Sequence, residues 1–339
     1  MAVYTQLSQD DIESFLTRYD IGKLVSFKGI AEGVENTNYL ITVMPHSLRH
    51  LPPLMETPQQ VRSDKYILTL FEKRVRLEDL PYFTAVMEWW HGRGISCPQP
   101  IKMKDGRALS ALKEKPALMV SFLEGAGVEK ITLDHMPQLG RLVADMHITG
   151  MDFPYQRGNG LSVKGWEAII DKIIDRVEEI EAGLRALINE EFNYLSEHWP
   201  EGLPSGAVHA DLFPDNVFFD KQFGKKPVLS GVIDFYFSCH EMWAYDLAIC
   251  VIAWCFDERR RFVPERAQAL MKSYIEQRPL TPEEEASFPL LLRGAALRFL
   301  LTRAHDWIFR EPGALVTPKD PMEYAAKLRF FQAERVQGL

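Results

Sequence analysis

Cysteine is scarce in this chain. Four thiols in 339 residues, Cys97, Cys239, Cys250 and Cys255, form no C-x-x-C pair and no disulfide framework. That excludes a small stapled secreted scaffold and points to a reducing, cytosolic compartment. Long apolar runs are also missing. The longest, Leu247 to Phe256, falls well short of the ~20 residues a membrane span needs. The opening MAVYTQLSQDD has no basic segment followed by an apolar one, so no secretory signal is read there. An excess of positive charge is lacking too. Lys and Arg number 39 against 47 Asp and Glu, a net charge of −8. That speaks against a protein whose main task is to grip nucleic acid or an anionic membrane. What is present is ordinary: 46% apolar and 25% charged residues, the balance of a globular protein. At ~150 residues per domain, the length suggests about two domains.

Along the chain, strand signals come first and helix signals later. Ser8 with Asp11 resembles a capping box, and Gly22 is a helix stop. Leu24–Ile30, Asn38–Met44 and Lys65–Phe71 read as strands, with a Gly-, Glu- and Asn-rich turn at 31–36. Residues 45–64 are proline-rich and polar and read as a loop. Leu80–His91 reads as a helix. Pro98–Glu124 reads as three short strands, with Asp105-Gly106 turning between the first two and Lys113–Pro116 separating the last two. The Glu124-Gly125-Ala126-Gly127 break follows. Beyond it, Asp134–His147 and two long amphipathic helices in Val163–His198 precede short apolar runs at Ala207-Val208, Val217–Phe219 and Val228–Phe235. From Tyr245 onward the pattern is mostly helical. Thr281-Pro282-Glu283-Glu284 marks a helix start. These signals predict an α+β chain with a small antiparallel-sheet lobe, residues 1–124, and a larger mostly helical lobe, residues 125–339.

The chemistry-bearing stretch is Val208-His209-Ala210-Asp211-Leu212-Phe213-Pro214-Asp215-Asn216-Val217, followed by Gly231-Val232-Ile233-Asp234-Phe235. Phosphoryl transfer asks little covalent chemistry of a protein. It needs a carboxylate to orient the acceptor hydroxyl and take its proton, and oxygen ligands to hold Mg²⁺ against the phosphates. A loop with Asp211 at one end and Asn216 at the other presents both groups to one point. Asp234, at the end of a strand, closes a metal site, and His209 fixes the loop. A rival is a metal-dependent hydrolase using His209, Asp211, His240 and Glu241. His240-Glu241 lacks the H-E-x-x-H spacing that chemistry needs. Gly33, Asn36 and Asn38 lie in the early turn, where backbone N–H groups can face phosphate. Ser121 and Leu123, at the end of an apolar strand, are placed to meet an adenine edge.

His209-x-Asp211-x-x-x-x-Asn216 with Ile233-Asp234 resembles the aminoglycoside-phosphotransferase-like kinases, relatives of protein kinases that phosphorylate small-molecule hydroxyls. Within them, Glu32–Tyr39, Tyr66–Arg74, Asp234–Cys239 and Tyr245–Ile249 are similar to passages of the bacterial homoserine kinases. The resemblance implies a two-lobed kinase-like fold, with a nucleotide-binding first lobe and a catalytic and acceptor-binding second lobe. It implies ATP and Mg²⁺ as cofactors and L-homoserine as acceptor, with neither nucleic acid nor membrane as a partner. Asp211 becomes the catalytic aspartate and His209 its neighbour in the motif. Asn216 and Asp234 become the Mg²⁺ ligands, and Asp246 the aspartate that steadies the loop. One departure stands out. The family's third-strand cation falls near Thr69, which carries no charge, leaving Lys73 or Arg74 just beyond it and Glu88 as the helix glutamate. The uncharged Thr69 keeps open a non-catalytic nucleotide-binding protein. Another small alcohol, such as choline, methylthioribose or an aminoglycoside, also stays open as acceptor.

A zwitterionic acceptor needs an arginine for its carboxylate. Arg293–Asp306 reads as one helix with Arg298, Thr302 and His305 along a face and Arg303 beside them. Arg298 or Arg303 is expected on the carboxylate, against the alternative of ion pairing between helices. Tyr236 and Tyr245 are further lining candidates.

Overall fold

The computed structural model describes residues 5–30, 36–45, 63–72, 75–220, 226–310 and 318–333. Gly33, Lys73, Arg74 and nearly all of the 45–64 loop lie outside them. The chain divides into two compact units: residues 1–91 with 97–123, and residues 92–96 with 124–339.

In the first unit, the expected cap starts α1 (Gln9–Leu16). Ser8 Oγ accepts from Asp11 N at 3.2 Å, and an Asp11 carboxylate oxygen accepts from Ser8 N at 2.9 Å. Five antiparallel strands, β1 (Lys23–Ile30), β2 (Thr37–Met44), β3 (Asp64–Leu70), β4 (Leu109–Leu112) and β5 (Lys115–Ser121), form one sheet in the order β1-β2-β3-β5-β4. Alternation along β2 sends Tyr39, Ile41 and Val43 into a core with Ile12, Phe15 and Leu16 of α1 and Leu68, Leu70, Ala117 and Met119 of the sheet. Asn38 and Thr69, paired in register, face the other side. Helix α2 spans Leu80–His91, as the sequence predicts.

The first of the three strands expected in Pro98–Glu124 does not form. Residues 99–103 run beside β5, joined by Ile101 N to Met119 O at 2.8 Å and Ser121 N to Gln99 O at 2.9 Å. Pro98 and Pro100 lack the N–H a ladder requires. Asp105-Gly106 is nonetheless a tight turn, with Gly106 at φ 86°. The β4–β5 hairpin turns on Lys113 and Glu114 at φ 52° and 61°, left-handed positions filled without glycine.

The second unit holds α3 (Met136–Gly150), α4 (Val163–Ile173), α5 (Leu184–His198), α6 (Trp243–Trp254), α7 (Pro264–Ile275), α8 (Pro282–Ile308) and α9 (Met322–Ala333). Two short antiparallel strand pairs are set among them. The strands β6 (Ser205–Val208) and β9 (Cys239–Met242) pair antiparallel, as do β7 (Val217–Asp220) and β8 (Val228–Val232). Strand β9 is too short to announce itself in the sequence. Helix α6 is buried almost all round, which its unbroken apolar run requires. Helix α8 starts at the expected Thr281 capping box, and the Arg293–Asp306 stretch lies inside it. Among the described residues, no helix is long and apolar enough to cross a membrane.

Helices α3 and α7 approach so closely at Gly140 that a Cβ there would lie 2.2 Å from Ser273 Oγ and 2.4 Å from Leu270 O. Gly140→Ala is therefore expected to destabilise the protein by about 1–3 kcal/mol. Urea titration checks this, and an unchanged midpoint would count against the close approach.

Candidate active site

Strand β6 delivers the chain into the stretch that carries the chemistry. His209 is fully buried, and its Nε2 donates to Ile233 O at 2.9 Å. Burial pulls its imidazole from the ordinary 6.5 down to about 4, against the opposing influence of Asp246. His209 is thus a neutral strut between two loops. Ala210 sits at φ 64°, in a region that disfavours a side chain. Its N–H donates to Asp246 Oδ1 at 2.8 Å, and the His209 N–H donates to Asp246 Oδ2 at 3.4 Å. Asp246, 1% exposed in α6, also meets His147 Nε2 of α3 at 3.1 Å. Burial alone would raise the Asp246 carboxyl, but the His147 hydrogen bond and its neighbours hold it below the usual carboxylate range.

The bend continues through Asp211. Asp211 O accepts from Phe213 N at 2.8 Å, and Phe213 O accepts from Asn216 N at 2.9 Å. The Asn216 carboxamide donates to Asp211 O at 2.8 Å and to Asp211 Oδ2 at 2.9 Å. The five-residue spacing therefore closes into one hydrogen-bonded loop that fixes the Asp211 carboxylate. Ile233 N donates to Asn216 O at 2.9 Å, which brings Asp234 alongside. Asp234 is exposed and stands at φ 65°, a position tolerated by aspartate more than by most residues. The structure thus gathers His209, Asp211, Asn216, Asp234 and Asp246 at one place.

The expected acceptor residues separate. Arg303 is committed to Glu323 at 2.6 Å and to Asp320 O at 3.1 Å, so this arginine ties α8 to α9. Together with Lys327, it holds the Glu323 carboxyl down at about 2 despite its burial. Arg298 is 1% exposed, and among the described residues its Nε and Nη1 have no hydrogen-bond partner. Its guanidinium lies over the rings of Phe299 at 4.7 Å and Phe237 at 5.7 Å. Phe299 in turn packs on Phe213 of the bend, with ring centroids 4.8 Å apart. Tyr236 is half-buried, two residues past Asp234.

The residues expected to hold nucleotide belong to the first unit. Asn36 Oδ1 accepts from Glu72 N at 3.3 Å, and Asn38 Oδ1 accepts from Thr69 Oγ1 at 2.7 Å. Glu88 of α2 pairs with Lys102 at 3.2 Å, not with a cation on β3. Ser121 is tied to Gln99 through both its N–H and its Oγ, each at 2.9 Å. Leu123 lies beyond both of these pairings.

The residues of the rival hydrolase do not converge. His240 faces Ser205 Oγ at 3.3 Å, and Glu241 accepts from Asn159 Nδ2 at 2.9 Å. Among the described residues, no three His, Cys, Asp or Glu side chains are grouped to hold a metal.

The family model described as "Phosphotransferase enzyme family" matches residues 26–279. The chain belongs to the phosphotransferase enzyme family. Its relatives include a homoserine kinase of Paramagnetospirillum magneticum, 50% identical over 334 residues, covering 98% of this chain and 97% of that one. A homoserine kinase of Rhizobium etli is 47% identical over 330 residues, covering 97% and 96%. Among solved structures, an amicoumacin kinase shares the fold at TM-score 0.65 and 15% identity, covering 97% of this chain and 93% of that one. A spectinomycin phosphotransferase does so at 0.62 and 12%, covering 97% and 95%. Sequence reasoning on this phosphotransferase missed His147 and took up Glu241 only for the rival hydrolase. A histidine within the apolar face of α3 was the available signal for the first.

The low value of His209 has a consequence for stability. The neutral form is favoured in the folded state, so the contribution is complete above about pH 6.5 and is lost as pH falls toward 4. A displacement from 6.5 to about 4 corresponds to about 3 kcal/mol. Urea midpoints measured across that window are expected to fall more steeply for wild type than for His209→Gln. Parallel slopes would refute the buried neutral assignment.

Proposed function

We propose that this chain transfers the γ-phosphoryl group of ATP to the side-chain hydroxyl of L-homoserine, giving O-phospho-L-homoserine. It is a homoserine kinase, in line with full-length relatives of that name at 47–50% identity, and the reaction serves threonine biosynthesis. Cytoplasmic placement fits its four buried, unpaired thiols.

The observation that carries the reading is the closed Asp211–Asn216 loop. Asn216 fixes the Asp211 carboxylate in one rotamer through its amide nitrogen. An acceptor hydroxyl hydrogen-bonded to that carboxylate is oriented for attack and gives up its proton there as the new P–O bond forms. His209 holds the loop from behind and Asp246 sustains the strained backbone at Ala210.

Mg²⁺ takes oxygen ligands and keeps waters, so few protein donors are needed. Asn216 turns its nitrogen to Asp211, which leaves its oxygen for a cation, and Asp234 offers an exposed carboxylate beside it. The two fit the ion. When bound, it neutralises phosphate charge. Gly33, Asn36 and Asn38 remain the candidates for the phosphate-covering turn, Lys73 for a cation there, Glu88 for its helix partner, and Ser121 and Leu123 for the adenine edge. The backbone commitment of Ser121 favours Leu123. On the acceptor side, the unanswered guanidinium of Arg298 supports it over Arg303 for the carboxylate, with Tyr236 near the reacting end.

Asp211→Asn is expected to lower kcat with Mg-ATP and L-homoserine by roughly 10²–10⁴-fold while leaving ATP affinity unchanged. Coupled ADP-release assays against L-homoserine, L-serine, L-threonine, choline, methylthioribose and kanamycin check both parts. Turnover of another acceptor in preference to L-homoserine would overturn the substrate, and a fully active variant would overturn the role of Asp211.

A further inference from the structure

Buried charges in the second unit are answered almost everywhere. Arg278 meets Glu284 at 2.8 Å, Arg293 meets Glu191 at 2.7 Å, and Lys327 meets Glu323 at 2.6 Å. Burying an ion without a counter-charge is costly, which explains the pattern. Arg298 breaks it. The side chain is as buried as the others, yet no carboxylate pairs with it among the described residues, and two of its nitrogens bond nothing.

A second unanswered charge stands close by. Glu241 lies on β9, opposite Gly206 of β6 and two residues from Cys239, so Glu241 and Cys239 share a face of that pair. The Glu241 carboxylate accepts from Asn159 Nδ2 at 2.9 Å and from Met242 N at 2.8 Å. A carboxylate has about four lone-pair sites, so capacity remains. No cation pairs with it among the described residues. The Arg298 guanidinium lies 5.7 Å from the ring of Phe237, two residues before β9 begins at Cys239. The Tyr245 hydroxyl and the Ser238 Oγ are themselves buried without partners.

Where α8 meets the segment leading into β9, a buried cation, a carboxylate and two hydroxyls are thus found at one spot, with Arg298 Nε and Nη1, Tyr245 Oη and Ser238 Oγ unbonded among the described residues. We infer that this spot takes the zwitterionic head of the acceptor amino acid, with the α-carboxylate on Arg298 and the α-ammonium on Glu241. Neither charge alone specifies an amino acid. The opposed pair does, because both head charges must be present to satisfy the site. Arg298 also packs on Phe299 at 4.7 Å, and Phe299 packs on Phe213, two residues after Asp211, so a head group held here lets a short side chain extend toward the Asp211 carboxylate. Asn159 is the positioning residue that aims Glu241.

The inference rests on the homoserine reading and is tested with acceptors that each lack one head charge. These are 4-hydroxybutanoate, without the ammonium, and 3-aminopropan-1-ol, without the carboxylate. The full-length protein is assayed with Mg-ATP. Wild type is expected to prefer L-homoserine strongly over both. Glu241→Gln is expected to lower kcat/KM for L-homoserine by roughly 10²-fold, mainly through KM. Its preference for L-homoserine over 4-hydroxybutanoate should collapse, because only one of the two acceptors carries the lost contact. Arg298→Met should collapse the preference over 3-aminopropan-1-ol in the same way. Arg298→Lys, which retains a cation, serves where the methionine variant fails to fold, and should lose less of that preference. If wild type phosphorylates none of the three acceptors, the homoserine reading fails. If wild type prefers L-homoserine but Glu241→Gln leaves both preference ratios unchanged, the inference alone is overturned.

Discussion

The carboxylate of Asp246 is the point on which the catalytic bend depends. Ala210 occupies a left-handed backbone conformation that a residue with a Cβ adopts at a cost of ~1 kcal/mol or more. A buried charge accepting its N–H, and that of His209, offsets the cost. The charge must itself be held. His147 does so from α3, and its other ring nitrogen meets Tyr274 Oη at 2.8 Å. Tyr274 accepts from Arg278 at 3.0 Å, and Arg278 pairs with Glu284, the glutamate of the α8 capping box. A continuous buried polar chain therefore runs from the start of α8 to the backbone beside Asp211. Such a network is favourable only when every member is satisfied, and here the links run from 2.8 to 3.4 Å.

The first unit solves a different electrostatic problem. Its third strand carries Thr69, hydrogen-bonded to Asn38, at the position where the sequence resemblance leads one to expect a cation. A lysine does occur on the sheet, but Lys115 is committed to Glu72 and Thr5. By strand alternation, Lys115 shares the face of Ala117 and Met119, which pack against α1, and so lies on the opposite face from Asn38 and Thr69. On the Asn38–Thr69 side, Lys65 stands toward the start of β3 and Lys28 on β1, and neither occupies the Thr69 position itself. Glu88 of α2 pairs instead with Lys102.

Much of this was legible beforehand because it rests on local chemistry. Ser8 and Thr281 announce their helices through side chains that can bond only their own first turn. The H-x-D-x-x-x-x-N spacing was readable because the Asp211–Asn216 contact is closed within six consecutive residues. Pro98–Gln99–Pro100 misled in the opposite sense. The Asp105-Gly106 turn suggested a strand before it, while two missing N–H groups prevented one, and the stretch borrows only isolated bonds from β5. Strand β9 escaped notice because four residues carry too little periodicity.

The arginines of α8 mark the boundary most clearly. Arg298 and Arg303 sit on one helix and look equivalent in sequence, and either could serve an acceptor carboxylate or an internal ion pair. By itself the sequence determined the helix, the catalytic spacing and the family to which they belong, because each depends on neighbours along the chain or on residue types in fixed order. Only the tertiary structure decided that α9 supplies Glu323 to Arg303 while, among the described residues, no carboxylate pairs with Arg298. Which charges meet is a property of segments distant in sequence, and burial makes the presence or absence of that meeting count.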